Sequence, residues 1–474
     1  MCGIAGELRF KPGPSQADWE AISELMIRRG PDDSGAWQDE HCNLVFRRLS
    51  ILDLSAAGHQ PMVSEDGRYV LVFNGEVYNF AGLRRQLEQR GVSFRSHSDT
   101  EVVLYSLAEW GRDALDRFNG MFALGFYDSR ERKLLLARDH AGIKPLYYLK
   151  NPGGLMFGSQ YDQLLAHPWS EGLAYSPAAA SLYLHLASVP APYAILENTN
   201  MLEPGSWLEV DLEGRITQGC YYEFPRNQPA TLSGQEAMEA VDAAITAAVK
   251  RQLVSDVPIG AFLSGGVDSP LVCAKMQKVC ESGMRAFTIG TGGDRTDESQ
   301  DAIRYARELA IDQTVEHVAP DDAVDMLDDV ITACGEPFGD FSIFPTLLVS
   351  RLARKNFTVM LSGDGGDELF WGYAERVAAL MNGASEFRHS QGRRRVMQLA
   401  RRVSRMPQTR SHRFATIGDW QRAVHSRLPT SSLQKVFPHM PDWPAEYDLY
   451  NYSDSDPDET AQWLRKNEFV GHLT

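Results

Sequence analysis

Apolar and polar positions divide the 474-residue chain into two stretches of different rhythm. The first is dominated by short apolar runs that read as strands. Residues 69–73 are strongly β-prone, and 119–128 and 134–137 predict further strands. Two helices interrupt them. One spans 81–90, with Leu83 and Leu87 four apart; the other runs from Ser98, a capping residue, through Trp110, with Glu101 near the cap. Residues 207–222 predict a strand pair around the turn Glu213-Gly214.

The second stretch alternates. A helix over 237–253 precedes a buried strand at 258–263, a helix at 270–279, a strand at 285–290, a helix from 297 to 310, a strand at 314–318, a helix at 345–355 and a strand at 357–361. Such alternation predicts a parallel, doubly wound sheet. Residues 388–413 are arginine-rich and read as helical, either a solvated face or a cover over the site. Residues 441–459 read as loop, and a helix is expected from Trp463.

Composition narrows the class without naming it. The 43% apolar and 23% charged fractions are those of an ordinary globular protein. The formal charge of −16 argues against non-specific nucleic-acid binding and against an anionic membrane surface. No apolar run is long enough to span a bilayer. The first residues lack a basic segment followed by an apolar one. None of the six cysteines forms a C-x-x-C pair, so reduced thiols in a cytoplasm are expected. Five read as small apolar fillers, and Cys2 is the exception. If Met1 is removed, Cys2 carries a free α-amine that can take the thiol proton, giving a nucleophile and its base in one residue.

Two glycine-rich loops follow predicted strands in the second stretch. Ser264-Gly265-Gly266-Val267-Asp268-Ser269 leads from strand to helix. Its glycines allow a tight turn, and the helix start offers unpaired N–H groups to a phosphate. It lacks the Gly-Lys-Ser/Thr ending of a Walker A loop. Ser362-Gly363-Asp364-Gly365-Gly366-Asp367-Glu368 follows the strand at 357–361. Ligands of such sheets sit at the carboxyl ends of strands, so both loops are expected at one site. Carboxylates brought near phosphates call for magnesium.

Met1-Cys2-Gly3-Ile4, Arg29-Gly30-Pro31-Asp32, Arg47-Arg48-Leu49-Ser50, Gly58-His59-Gln60-Pro61, Asn74-Gly75-Glu76 and Ser98-Asp99-Thr100 occur in that order. Together they resemble the class II glutamine amidotransferase domain over about residues 2–165. The resemblance implies an N-terminal-nucleophile hydrolase with an αββα sandwich. It implies that Cys2 attacks the glutamine amide, and that Asn74 and the Gly75 N–H form the oxyanion hole. Arg48 is implied to pair with the glutamine α-carboxylate, and Glu76 and Asp99 to hold its ammonium, with Asn74 also at the glutamine. Arg28 and Phe46 stand where relatives often carry histidine, and Gln160 where glutamate is usual; altered packing is expected there.

The loop SGGVDS, the Asp297-Glu298-Ser299 helix start, Glu336-Pro337-Phe338 and the second glycine-rich loop resemble the synthetase domain of glutamine-hydrolysing asparagine synthetases, in the family order. The type implied is a PP-loop adenine-nucleotide α-hydrolase sheet. The resemblance implies that Leu263 and Ile289 contact adenosine, and that Ser264, Gly265, Gly266, Asp268 and Ser269, with Ser362 and Gly363, hold ATP. Asp268 and Asp367 are expected at Mg2+, and Asp364 as base or positioning group. The implied reaction adenylates the aspartate β-carboxylate, releases pyrophosphate, and delivers ammonia through an internal tunnel. Domains are expected at 2–170 and 236–474, with 171–235 connecting them.

A Lys-Val-Asp-Arg-like motif and a Glu-x-Arg-x-Pro sequence, usual further on in relatives, are not found. A synthetase half with its C-terminal part missing or divergent is therefore expected. The acceptor stays open between aspartate and another carboxylate, such as a sugar acid in surface-polysaccharide synthesis. A degenerate, non-enzymatic binding protein is the third reading. A homodimer is common among relatives.

Overall fold

The computed structural model describes residues 1–225, 230–280, 283–291, 297–318, 324–373, 377, 383–403, 411–441, 443–444, 447–450, 462 and 464. The expected helix from Trp463 lies outside the described residues, apart from Leu464. So does much of the expected 441–459 loop.

Twelve strands build the first half: β1 (Gly3–Arg9), β2 (Asp33–Gln38), β3 (Cys42–Arg48), β4 (Met62–Val63), β5 (Tyr69–Val77), β6 (Gly120–Asp128), β7 (Lys133–Arg138), β8 (Tyr147–Asn151), β9 (Gly154–Gly158), β10 (Thr199–Met201), β11 (Ser206–Val210) and β12 (Ile216–Cys220). They form two six-stranded sheets, ordered β10-β8-β9-β1-β3-β2 and β12-β11-β7-β6-β5-β4. The two-residue period of a strand explains how they stack. Ile4 and Leu8 of β1, Leu44 and Phe46 of β3, and Val70 and Val72 of β5 meet in one core between the sheets. The alternate residues pack outward. Leu71 and Phe73 join Leu83, Leu87, Val103 and Leu107 beneath the helices Phe80–Glu88 and Asp99–Trp110. Ala5 and Val45 pack with Ile22 and Leu164, from the helices Trp19–Leu25 and Tyr161–Leu165. The result is the αββα sandwich. Each fully buried large side chain contributes about 1.5–3 kcal/mol.

In the second half β13 (Ile259–Phe262), β14 (Arg285–Gly290), β15 (Asp312–His317) and β16 (Val359–Leu361) form a four-stranded sheet, parallel throughout, in the order β15-β14-β13-β16. The helices Gly234–Gln252, Asp268–Val279 and Ser299–Glu308 cover one face. The helix Ile343–Arg354 covers the other with Phe287, Phe262 and Met360. The sheet is thus doubly wound. Its order reverses between β13 and β16, the point where such sheets bind ligands.

Two elements differ from the sequence expectation. The segment 171–235 does more than connect: β10 extends the first sheet beside β8, and β11 and β12 extend the second beside β7. The arginine-rich helix Gln391–Val403 turns Arg394 inward rather than to solvent. Its guanidinium donates to Ser411 O (3.0 Å) and Phe414 O (3.1 Å), groups that would otherwise be buried unpaired.

The halves meet along a hydrogen-bonded seam. Asp256 N donates to Ile51 O (2.9 Å), and Asp53 N donates to the Asp256 carboxylate (2.7 Å). Ile195 N donates to Glu336 (2.7 Å), and Gly339 N to Ala187 O (2.7 Å). No helix among the described residues is long and apolar enough to cross a membrane.

Candidate active sites

The alternation that fills the sandwich also assembles the first site. Even-numbered residues of β1, β3 and β5 face between the sheets, and at one end this face changes from apolar to polar. Cys2, directly before β1, Arg48 at the end of β3, and Asn74 and Glu76 on β5 are the residues so placed. Cys2, Arg48, Gly75, Glu76 and Asp99 line one cavity of about 20 Å³, room for roughly one water.

Each side chain is held from nearby. The Cys2 thiol lies against the backbone of Leu49, receiving its N–H at 3.5 Å, and Arg29 Nε donates to Cys2 O at 3.0 Å. Burial pushes the Cys2 thiol above its ordinary range, and lowers the Met1 amine to about 5. Arg48 is 6% exposed and spends its guanidinium on the loop that follows it, donating to Ser55 O (3.0 Å), Leu52 O (3.2 Å) and Asp53 O. Gly58 leaves room for this guanidinium: a Cβ there would strike Arg48 Nη2 and displace it. Asn74 is 1% exposed, and its amide nitrogen has no hydrogen-bond partner. Gly75 packs so tightly on β6 that a Cβ would lie 2.3 Å from Met121 O.

Glu76 and Asp99 form a carboxyl pair. Asp99 opens its helix, capped by Ser98, and accepts from Val77 N at 2.8 Å. Burial, then the neighbouring Asp99 charge, pushes Glu76 well above the usual carboxylate range. Burial raises Asp99 to about 6, against its backbone hydrogen bonds.

The second site lies at the switch point. Ser264 N and Oγ both reach Ser269 Oγ at 2.9 Å, and Gly265 N donates to the Glu298 carboxylate at 3.2 Å. The acidic loop touches this one directly: a Cβ on Gly363 would lie 2.6 Å from Ser269 N, and one on Gly366 would strike the Asp268 carboxyl. Burial, then Asp367, raises the Asp268 pKa. Two carboxylates from two loops with mutual repulsion are a donor set that fits a divalent cation. Among the described residues no group of three or more His, Cys, Asp or Glu has metal-binding geometry. Asp364 is exposed and accepts from Ser362 Oγ at 2.8 Å. Ile289 lies near the end of β14, half-buried. Leu263 is 2% exposed, with its N–H on Phe287 O and its carbonyl bound by Thr288 Oγ1, which leaves it little surface to offer a nucleotide.

Three contributions carried no mark in the sequence. Lys144 is half-buried near Asp139, Arg29, Glu76 and Cys2, and desolvation lowers its pKa. Gln60 uses its amide as a substitute strand, accepting from Phe73 N at 2.7 Å and donating to Phe73 O at 3.2 Å, directly before Asn74. Arg29 opens one of the runs that carry the amidotransferase resemblance, but the resemblance assigns it no role. Of the departures, Phe46 is fully buried core, Gln160 caps the helix Tyr161–Leu165, and Arg28 lies 3.8 Å from Asp329 across the seam.

Comparison with known proteins gives the same division. The family model described as glutamine amidotransferase domain matches residues 1–222, and that described as asparagine synthase matches 240–466. Asparagine synthetase (glutamine-hydrolyzing) 1 of Bacillus subtilis is 33% identical over 377 residues, 79% of this chain and 59% of that protein. Putative asparagine synthetase (glutamine-hydrolyzing) 2 of Methanocaldococcus jannaschii is 35% identical over 399 residues, 79% of this chain and 76% of that protein. Among solved structures, glutamine phosphoribosylpyrophosphate amidotransferase of B. subtilis aligns with a TM-score of 0.35 at 14% identity, over 66% of this chain and 65% of that one. That likeness is low, and the fold rests on the strand order described above.

Proposed function

The chain belongs to the glutamine-hydrolysing asparagine synthetase family, and we propose that it is a two-site amidotransferase that makes ammonia at Cys2 and spends ATP to attach it to a carboxylate, with aspartate as acceptor. The observation that carries the first half is the buried, unpartnered amide of Asn74, on the strand whose Phe73, Gly75 and Glu76 line the cavity that holds Cys2. A donor left unpaired in the interior costs about 1–3 kcal/mol unless something accepts from it. An oxyanion formed when the Cys2 thiolate attacks the glutamine amide would accept, together with the Gly75 N–H. Once Met1 is removed, the Cys2 amine takes the thiol proton and passes it to the leaving ammonia.

The pocket complements a zwitterion. Arg48 faces the α-carboxylate. The Glu76–Asp99 pair, whose mutual repulsion a cation relieves, faces the α-ammonium. At the switch point Ser264, Gly265, Gly266, Ser269, Ser362 and Gly363 surround the phosphates of ATP, with Ile289 towards the adenosine. Asp268 and Asp367 would hold Mg2+, which neutralises charge as pyrophosphate leaves. Asp364 stands at the rim as a positioning group for the acceptor. The adenylated carboxylate then meets ammonia carried inside the protein, and AMP leaves.

The test is Asn74→Ala. Glutaminase kcat should fall about 10²–10³-fold with little change in KM, the cost of one oxyanion donor. A loss confined to KM would remove Asn74 from that role. Mass spectrometry of the same preparation reads whether Met1 is absent.

A further inference from the structure

We propose that Asp256 is a positioning residue for the glutamine subsite, so that the half carrying the nucleotide loops sets glutamine affinity at the other. The inference rests on the two-site reading above. Its physical basis is the loop after β3. Two demands meet on residues 51–55. Ile51 and Leu52 line the cavity that holds Cys2. The carbonyls of Leu52, Asp53 and Ser55 hold the Arg48 guanidinium. Where this loop lies therefore decides where Arg48 points and how wide the cavity is, and at about 20 Å³ the cavity has to widen for glutamine to enter.

The backbone of that loop is held from the other half. Asp53 N donates to Asp256 Oδ2 at 2.7 Å, and Asp256 N donates to Ile51 O at 2.9 Å. The pair brackets Leu52 on both sides. Asp53 also has φ +53°, a left-handed conformation that a residue with a Cβ adopts at a cost, so the loop needs such external partners to keep it. Within its own half the Asp53 side chain accepts from Ser55 and from His97 N at 2.8 Å, which fixes the carboxylate and leaves the Asp53 amide to Asp256.

Asp256 lies three residues before β13, and β13 runs directly into Ser264 and the pyrophosphate loop. One short segment is thus bonded to the glutamine pocket at its start and forms the phosphate cradle at its end. Asp256 touches neither glutamine nor ATP; it acts through the 51–55 backbone on Arg48.

Glutamine binding to the full chain, measured by calorimetry in a Cys2→Ala background so that nothing is hydrolysed, reads this directly. Adding Asp256→Ala should weaken the Kd about tenfold, the loss of one charge-assisted hydrogen bond. Asp256→Asn keeps an acceptor oxygen and should restore the Kd to within about threefold. With Cys2 intact, the Asp256→Ala loss should fall on KM, with kcat within about twofold. An unchanged Kd, an Asn variant no better than Ala, or a fall in kcat and melting temperature at constant KM would each overturn the proposal. Absence of glutamate release from the wild type would instead refute the two-site reading, and the Kd comparison would still decide the role of Asp256.

Discussion

Asn74 and Asp99 in the first half are 1% and 3% exposed, whereas Asp364 in the second stands in solvent and Asp268 and Asp367 are half-buried. The first set is fixed by a strand and by the start of a helix, both packed into the sandwich. The second lies on two loops that touch at Gly363 and Gly366, with a serine pair bracing the first loop internally. In the first half the side chains proposed to face glutamine are positioned by the fold before any ligand arrives, although the cavity must still widen to admit one. In the second half the carboxylates lie near one another with their charge not neutralised, and on the proposed reading ATP and a cation would complete the site. Changes in the first half should therefore act through fixed geometry, and changes in the second through ligand and metal concentration.

Asp367→Asn should show the largest such contrast. Pyrophosphate release should need about 10–100-fold more Mg2+, a loss that even outer-shell partners produce, while glutamate release stays unaltered. A titration of both activities against Mg2+ checks it, and an equal loss of both would erase the distinction.

The pH dependence of the first half comes next. Asp99 titrates near 6, so below that pH it loses the charge that faces the ammonium, and KM for glutamine should rise towards tenfold per pH unit. Stability runs the other way. The folded state binds the Asp99 proton more tightly than the unfolded chain, whose value is 3.8, so this contribution is full below about 4 and is lost as pH rises through about 6. Asp99→Asn should melt higher than wild type at pH 8 and bind glutamine worse, measured by thermal melts and KM at pH 5.5 and 8. A lower melting temperature at pH 8 would contradict it.

The smallest effect is expected at Glu298. Its carboxylate occupies the Gly265 N–H, a donor that an ATP phosphate would use, so the two compete. Glu298→Ala should lower the KM for ATP about threefold, the scale of one exposed hydrogen bond. A higher KM would assign Glu298 to holding the loop.

Much of this was legible in the chain. Leu83 and Leu87, four apart, are the buried stripe of their helix, and Ser98 caps the helix that presents Asp99. The alternation of strands and helices after residue 236 yielded the parallel sheet, and with it the convergence of the two glycine loops. The role of 199–220 was not legible, because a short strand carries no local signal of the sheet it joins; cross-strand packing decides that. Arg394 misled for a related reason. An arginine run reads as solvated until tertiary structure supplies buried carbonyls for one of its members. Asp256 and Lys144 sit in unremarkable local sequence, and only the closing of the seam and of the Cys2 pocket gives them partners.

The central claim is that two separable sites share one chain. Its most direct test is pyrophosphate release from ATP, Mg2+ and aspartate by Cys2→Ala, supplied in turn with glutamine and with ammonia. Pyrophosphate with ammonia, none above background with glutamine, and no glutamate formed is the result this account predicts. Undiminished glutamine-driven release, or loss of the ammonia-driven release as well, would contradict it.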